Sequence, residues 1–393
     1  MALTKIDISL MDNTGTTANK LLVYDGSGNL PAVDGSQLTN IATSITNSTS
    51  DPTITTNPSG GVGSEWVNTT SGEVYICTDA TAGENVWTNV GAGSGDVAPF
   101  TFQGLTHGYH AGGLLTGSNW TAVIDKFAFA SNTTAASHGN LSEARQVSMG
   151  SSSATDGFTA GGNNNSWAQQ TSIDKWSFSS NTTSADHGDL RVANQGGSGH
   201  STGTHGYVSG NGAYPMATPI DKYAYSANTT SSGHGDLENI QYHASEHSST
   251  TDGFIAGGIS PSNGSNQLWI SKFSFASNTT ASSHGNLQSG KARHNPTGCT
   301  STTHGYVCGG YISSDSAVIE KFQISSNTTA STVGDLTVAR YDGAGSSSTT
   351  HGFVSGGNGH KNQIDKLDFS SDGNATDHGD LSAGKVGASG HQV

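Results

Sequence analysis

The sequence is short of what would mark a nucleic-acid binder, a membrane protein or a disulfide-stapled module. Lys and Arg number only 15 in 393 residues, against 30 Asp and Glu. They are scattered singly, without the basic stripe that tracks a phosphate backbone. The net charge of −15 favours solubility and names no partner. No apolar run approaches the roughly 20 residues that span a bilayer, so no membrane insertion is expected. The opening stretch "MALTKIDISLMDNTG" has no apolar core of signal-peptide length and carries Asp7 and Asp12, so synthesis in a cytosol without a signal peptide is expected.

Three cysteines make no disulfide framework. Cys308 fills a slot held in equivalent stretches by Ala111, Ala160, Ser209, Ala256 and Ser355, which reads as a small core residue. Cys299, nine residues earlier, leaves a cross-strand disulfide geometrically open. Catalytic signatures are missing too: there is no Gly-x-Ser-x-Gly elbow, P-loop, His-Glu-x-x-His or paired zinc cysteines. The carboxylates recur as scaffold positions instead of forming the close acid pair of a glycosidase. The sequence therefore reads as a non-enzyme with no cofactor and no metal.

Glycine (54 residues) with Ser, Thr and Asn fills the space, and only 11% of residues are charged. Charge-driven disorder needs more, so the polar bulk belongs to turns and short strands. This texture suits a protein working outside cells, and a virion component, released by lysis, reconciles it with a cytosolic start.

Six copies of one pattern follow each other. "HGYHAGG" begins at His107, "DGFTAGG" at Asp156, "HGYVSGN" at His205, "DGFIAGG" at Asp252, "HGYVCGG" at His304 and "HGFVSGG" at His351, at spacings of 49, 49, 47, 52 and 47 residues. Such a period indicates solenoids or propellers. Each copy continues with a variable loop, a strand such as "IDKFAFA" from Ile124, then "SNTT", then "HG[DN]L". The "IDK" strand alternates, as in Phe127 and Phe129 or Trp176 and Phe178, so it has one apolar face. No 3.6-residue period is sustained. Four short strands per copy predict an all-β fold of six four-stranded units, each stacking its aromatics on the next around an axis. "SAGKVGASGHQV" after the last copy matches "SEARQVSMGSSS" after the first. Lys385 follows Leu381 by four residues, as Arg145 follows Leu141 and Arg340 follows Leu336. The final residues are thus predicted to supply the first unit with its first strand, in competition with "APFTFQG" (98–104).

The doubled glycine after an aromatic strand resembles kelch-repeat β-propellers over residues 97–393. The late tryptophan of kelch repeats is replaced by "HG[DN]L", with Val333 once in place of His. The resemblance implies a six-bladed kelch-like β-propeller and no eukaryotic kelch partner.

Residues 46–96 hold three short strands around Trp66, Tyr75 and Trp87, a small β module ending in a Gly/Ser linker. Leu38, Ile41 and Ile45 fit either the start of a coiled-coil seam or an unstructured linker. "LPAVDGSQLTN" and "GEVYICTDATAGENVWTNVG" resemble N-terminal and shaft segments of fibre proteins from tailed bacteriophages, marine and cyanophage-like ones in particular. That resemblance implies a tail fibre on the phage particle surface. Residues 1–45 would attach to tail, adaptor or portal-region proteins, the assembly would be a homotrimer, and the propeller would bind host cell-surface polysaccharide or protein during adsorption. The alternative is a structural capsid-surface fibre or collar decoration without receptor binding.

The loops between second and third strands vary most, and Trp120, Trp167, Tyr214, Trp269, Tyr311 and His360 fall in or beside them. Aromatics among Asn and Ser suit sugars, or they cap the cores beneath; both readings stand here. The recurring His138, His187, His234, His284 and His378 sit one unit apart, too far to share a zinc, and are expected to bond backbone within a turn. Lys126, Lys175, Lys222, Lys272, Lys321 and Lys366 are expected to make contacts between units. The Asn-x-Thr residues Asn132, Asn181, Asn228, Asn278, Asn327 and Asn374 are expected to support local turns.

Overall fold

The computed structural model describes residues 45–90, 101–212, 217–260 and 264–393. The chain divides into two compact units, Met1–Pro99 and Phe100–Val393.

In the first unit, strands Glu65–Asn68, Val74–Asp79 and Val86–Asn89 form an antiparallel meander, as the aromatics suggested. A fourth strand, Ile45–Ser48, joins it parallel to Glu65–Asn68. Ile45 is therefore a strand residue, 51% exposed, and Leu38 and Ile41 lie outside the described residues. Tyr75, Cys77 and Trp87 make the small core, with Trp66 edge-on to Trp87 at 5.9 Å. The linking segment is tied down by side chains: Trp66 Nε1 donates to the Ser50 carbonyl, and Asn85 Nδ2 to that of Ile54.

The second unit is all β. Its described residues form six four-stranded antiparallel sheets, here sheets I to VI, in a propeller-like arrangement. Sheet I consists of Ser389–Gln392, His107–Ala111, Val123–Ala128 and Ala136–Asn140. Its first strand comes from the last residues of the chain, with Ser389 opposite Ala111 and Gln392 opposite Gly108. Sheets II to VI take their four strands in order from 149–194, 198–236, 245–286, 297–335 and 344–380. Of the segment 98–104, the described residues 101–104 take no place in the four-stranded sheets: Phe102 and Gln103 are buried against the ends of sheets V and VI, where Gln103 Nε2 donates to the carbonyls of Thr300 and Ser348.

Neighbouring sheets meet ring on ring. Tyr109 of sheet I lies on Phe178 of sheet II at 4.9 Å, Phe158 on Tyr225 at 4.3 Å, Tyr207 on Phe275 at 4.7 Å, Tyr306 on Phe369 at 4.8 Å. Phe353 of sheet VI lies on Phe129 of sheet I at 4.6 Å, which closes the cycle. Each such aromatic pair adds about 0.5–1.5 kcal/mol beyond burial.

The recurring histidines bond backbone, though of the next sheet and not of a local turn. His138 Nε2 donates to the Ser177 carbonyl at 2.9 Å, and His187, His234 and His284 repeat this to Ala224, Ser274 and Gln323. His378 reaches Ala128 of sheet I at 2.9 Å. The turn reading failed because the adjoining glycine is a bulge in the fourth strand. Gly139 holds φ of 104°, and a Cβ there would stand 2.2 Å from the Thr182 carbonyl of sheet II. The repeated asparagines cross the seam as well, Asn132 to the Asp377 carbonyl and Asn181 to that of Ser137. Of the lysines, Lys126, Lys175 and Lys222 lie over aromatic rings of their own sheets, because strand pairing sets each directly opposite that ring. Cys299 and Cys308 are free, buried thiols.

In five of the six sheets the third strand carries a buried polar residue partnered from the linker before that sheet; in sheet III Asp221 is instead paired at 2.5 Å by Arg191 of the fourth strand of sheet II. Arg145 pairs with Asp174 at 3.1 Å, Arg340 with Asp365 at 3.1 Å, Arg293 with Glu320, and Lys385 with Asp125 at 3.2 Å. In sheet IV the pair is neutral, Ser271 donating to Gln241 Oε1. Removing one member of such a pair strands a buried charge. Lys385→Ala is expected to destabilise the chain by about 3–5 kcal/mol, and Lys126→Ala, on the surface, by under about 1 kcal/mol. Comparing their thermal unfolding midpoints with that of the parent chain checks this.

Candidate functional site

The loops joining second to third strands leave five of the six sheets at paired glycines, and sheet III at Gly210 and Asn211. Gly112 and Gly113 hold φ of 72° and 105°, and a Cβ on Gly112 would lie 2.6 Å from the Arg145 carbonyl, so only glycine turns the chain outward here. Linkers between sheets emerge on the same face, because each first strand runs antiparallel to the second. Loop and linker then bond to one another: Leu114 pairs with Val386, Tyr311 with His294, and Ile259 with Tyr242.

Of the sequence-predicted residues, this face brings Trp120 and Trp167 together. Their rings stand edge to face at 4.9 Å and 88°, across the seam between sheets I and II. Trp120 closes a short hairpin, Leu114–Leu115 with Asn119–Trp120, and its indole Nε1 is buried without a hydrogen-bond partner. Trp167 is 63% exposed and sits at φ 59°, a left-handed conformation that is costly for a bulky residue. Asn164 holds the turn: its Oδ1 accepts from the amides of Ser166 and Ala168, its carbonyl from that of Trp167, and its Nδ2 donates to Glu143 Oε1. A strained backbone thus presents an indole outward on a braced turn.

The other predicted residues lie apart from this pair. Tyr311 belongs to a second aromatic group with His294 at 5.1 Å and Tyr341 at 5.7 Å. Asn266 pins it, its Oδ1 on His294 Nδ1 at 2.7 Å and its Nδ2 on the carbonyls of Tyr311 and Ile312. Trp269 begins the third strand of sheet IV, half-buried, and its carbonyl accepts from Gln241. His360, at φ 55°, donates from Nδ1 to the Leu114 carbonyl of sheet I and so ties two sheets. Tyr214 lies outside the described residues. His294 and Tyr341 were not among the sequence candidates. The signal for them is register: each directly follows the buried arginine of its linker, Arg293 or Arg340.

The axis of the sheets opens at the centre of this face into a cavity of about 60 Å³, where His243, Asn295 and Asp342 stand on the rim. Further in, the second residue of each first strand is Gly150, Gly199, Glu246, Gly298, Gly345 or Gly390. A Cβ on any of these five glycines would fall within 2.4 Å of the carbonyl of the sheet before it. Glu246 is the exception, and it lines both axial cavities. Desolvation raises its pKa to about 7 and that of Asp342 to about 6, and lowers that of His243 to about 4. Among the described residues, no group of three or more His, Cys, Asp or Glu is placed to hold a metal ion.

A carboxyl whose folded-state pKa is raised favours folding while protonated. Its penalty sets in as pH climbs past the ordinary carboxylate value and is complete above about 7. Glu246→Gln is therefore expected to match the parent's thermal midpoint near pH 4.5 and to exceed it increasingly up to pH 8. A constant difference across calorimetric scans at those pH values would show that the carboxyl is not desolvated.

No protein-family model matches the chain, and no curated protein matches it, so its role is read from its own residues.

Proposed function

We propose that this chain is a virion fibre protein of a tailed bacteriophage. Its C-terminal half and more forms a six-bladed, kelch-like β-propeller that binds the host cell surface by its variable loop face, without catalysis. The observation that carries this reading is the exposed Trp167, held in a strained turn and braced edge-on by Trp120. A rigid aromatic loses little conformational entropy on binding, and its face suits the C–H side of a sugar ring, with Asn and Ser nearby for hydroxyls. The point of chain entry supports the same assignment. Phe102 lines the axial cavity at the end opposite the loops, so the chain joins the propeller away from the proposed contact face. Attachment through residues 1–45 and trimerisation through residues 1–95 complete the proposal, since three modest sites on one particle gain by avidity.

Trp167→Ala is expected to weaken binding of fluorescently labelled full-length chain to host cells at least tenfold, the scale of an interfacial hot spot. Its thermal midpoint should stay within about 2 °C, because the ring is exposed. Undiminished binding by the variant overturns the loop-face assignment. Absence of binding by the parent chain favours the structural capsid or collar role. Light scattering checks the assembly, for which a trimer of the 40.0 kDa chain weighs about 120 kDa.

A further inference from the structure

On the opposite face, where first strands turn into second strands, two grooves repeat one design. One lies between sheets III and IV, about 350 Å³, the other between sheets I and II, about 340 Å³. Both fall in the size range of small-ligand sites. Beneath each, two aromatics pack together, Tyr207 with Phe275 or Tyr109 with Phe178, all four rings 7% exposed or less. Above the tyrosine stands a lysine ammonium, Lys222 at 5.6 Å from the ring or Lys126 at 5.7 Å. A threonine and a histidine line the edge, Thr204 with His205 or Thr106 with His107, each histidine Nδ1 held by that threonine's hydroxyl. The rim of the second groove also carries Val393, whose carbonyl accepts from the amides of Thr106 and His107.

The repeat supplies its own controls. In sheet II the histidine is replaced by Asp156, which pairs with Lys175 at 3.3 Å. In sheet V the histidine stays, and the equivalent lysine, Lys321, pairs with Asp372 of sheet VI at 2.6 Å. Asp372 lies three residues after Phe369, the place held by Asn181 after Phe178 and by Asn278 after Phe275. Those asparagines donate to carbonyls of the preceding sheet, Ser137 and Gly233. An aspartate has no such proton to give, and Asp372 turns to the lysine instead. Lys126 and Lys222 face neither replacement, and among the described residues they have no carboxylate partner.

We propose that the Lys126 and Lys222 grooves are binding sites for a saccharide ring bearing a carboxylate, a uronic-acid type of sugar. The carboxylate takes the place that Asp156 and Asp372 fill in the sister sheets, beside the lysine ammonium, and the threonine edge meets the hydroxyls of the ring. The sites are independent of the loop face around Trp167.

Saturation-transfer NMR on the full chain tests this with D-glucuronate, D-glucose and acetate. The expected result is saturable glucuronate binding at least tenfold tighter than that of either comparison ligand. The double variant Lys126→Gln/Lys222→Gln should lose it. Asn181→Asp/Asn278→Asp, which fills both grooves from within and keeps the lysines, should weaken it at least tenfold. Asp372→Asn should add a third site. Four results overturn the proposal: no saturable glucuronate signal, equal binding of glucose, equal binding of acetate, or glucuronate binding that survives both double variants.

Discussion

Six residues with left-handed backbones hold the second unit together: Val147, Gly196, His243, Asn295, Asp342 and Gly387. Each stands where a linker enters a first strand, and each donates its amide to the carbonyl of the one before it. Val147 donates to Gly387 at 2.6 Å, Gly196 to Val147, His243 to Gly196, Asn295 to His243, Asp342 to Asn295, and Gly387 to Asp342 at 3.0 Å. The result is a closed circle of main-chain bonds around the axis. Every other seam interaction follows from the spacing it sets: the stacked aromatics, the histidine bonds and the linker cations on buried carboxylates. Four of the six residues are not glycine, at a cost of order 1 kcal/mol or more each, and the circle over-determines them.

Because this circle uses backbone, it places few demands on side chains, and that explains how the loop face can differ from sheet to sheet. Trp167 and the Tyr311 group differ in every detail, yet their loops leave from glycine pairs in the same register. The glycine collar beneath is the reverse case. There the first strands approach so closely that a side chain is admitted only at Glu246.

Much of this was legible in the residues. Alternation in the "IDK" strands, paired glycines and regular spacing are local signals, and they gave strand type, strand number and the sheets' aromatic contacts. The match of Lys385 to Arg145 marks the closing strand, because each cation meets a buried carboxylate, Asp125 or Asp174, in the sheet that follows it. What stayed hidden was long-range. His138 and Asn132 look like turn residues since their local sequence is turn-like, and their partners lie some 39 and 245 residues away. The parallel strand at Ile45 was missed because its four residues, Ile-Thr-Asn-Ser, carry too little pattern. Trp120 and Trp167 were individually visible; that they touch was not, since their pairing depends on how two loops lean across a seam.

The segment before the first repeat strand gives the ring a mechanical character. Gln103 bonds to Thr300 and Ser348, Gly104 to Ser347, and Thr106 to Val393, so sheets V, VI and I are all grasped within four residues. Tension arriving along the chain from its N-terminal side would be shared among three adjoining sheets and loaded near the axis, not at a rim strand that could peel bond by bond. A ring entered in this way resists being unravelled from that end.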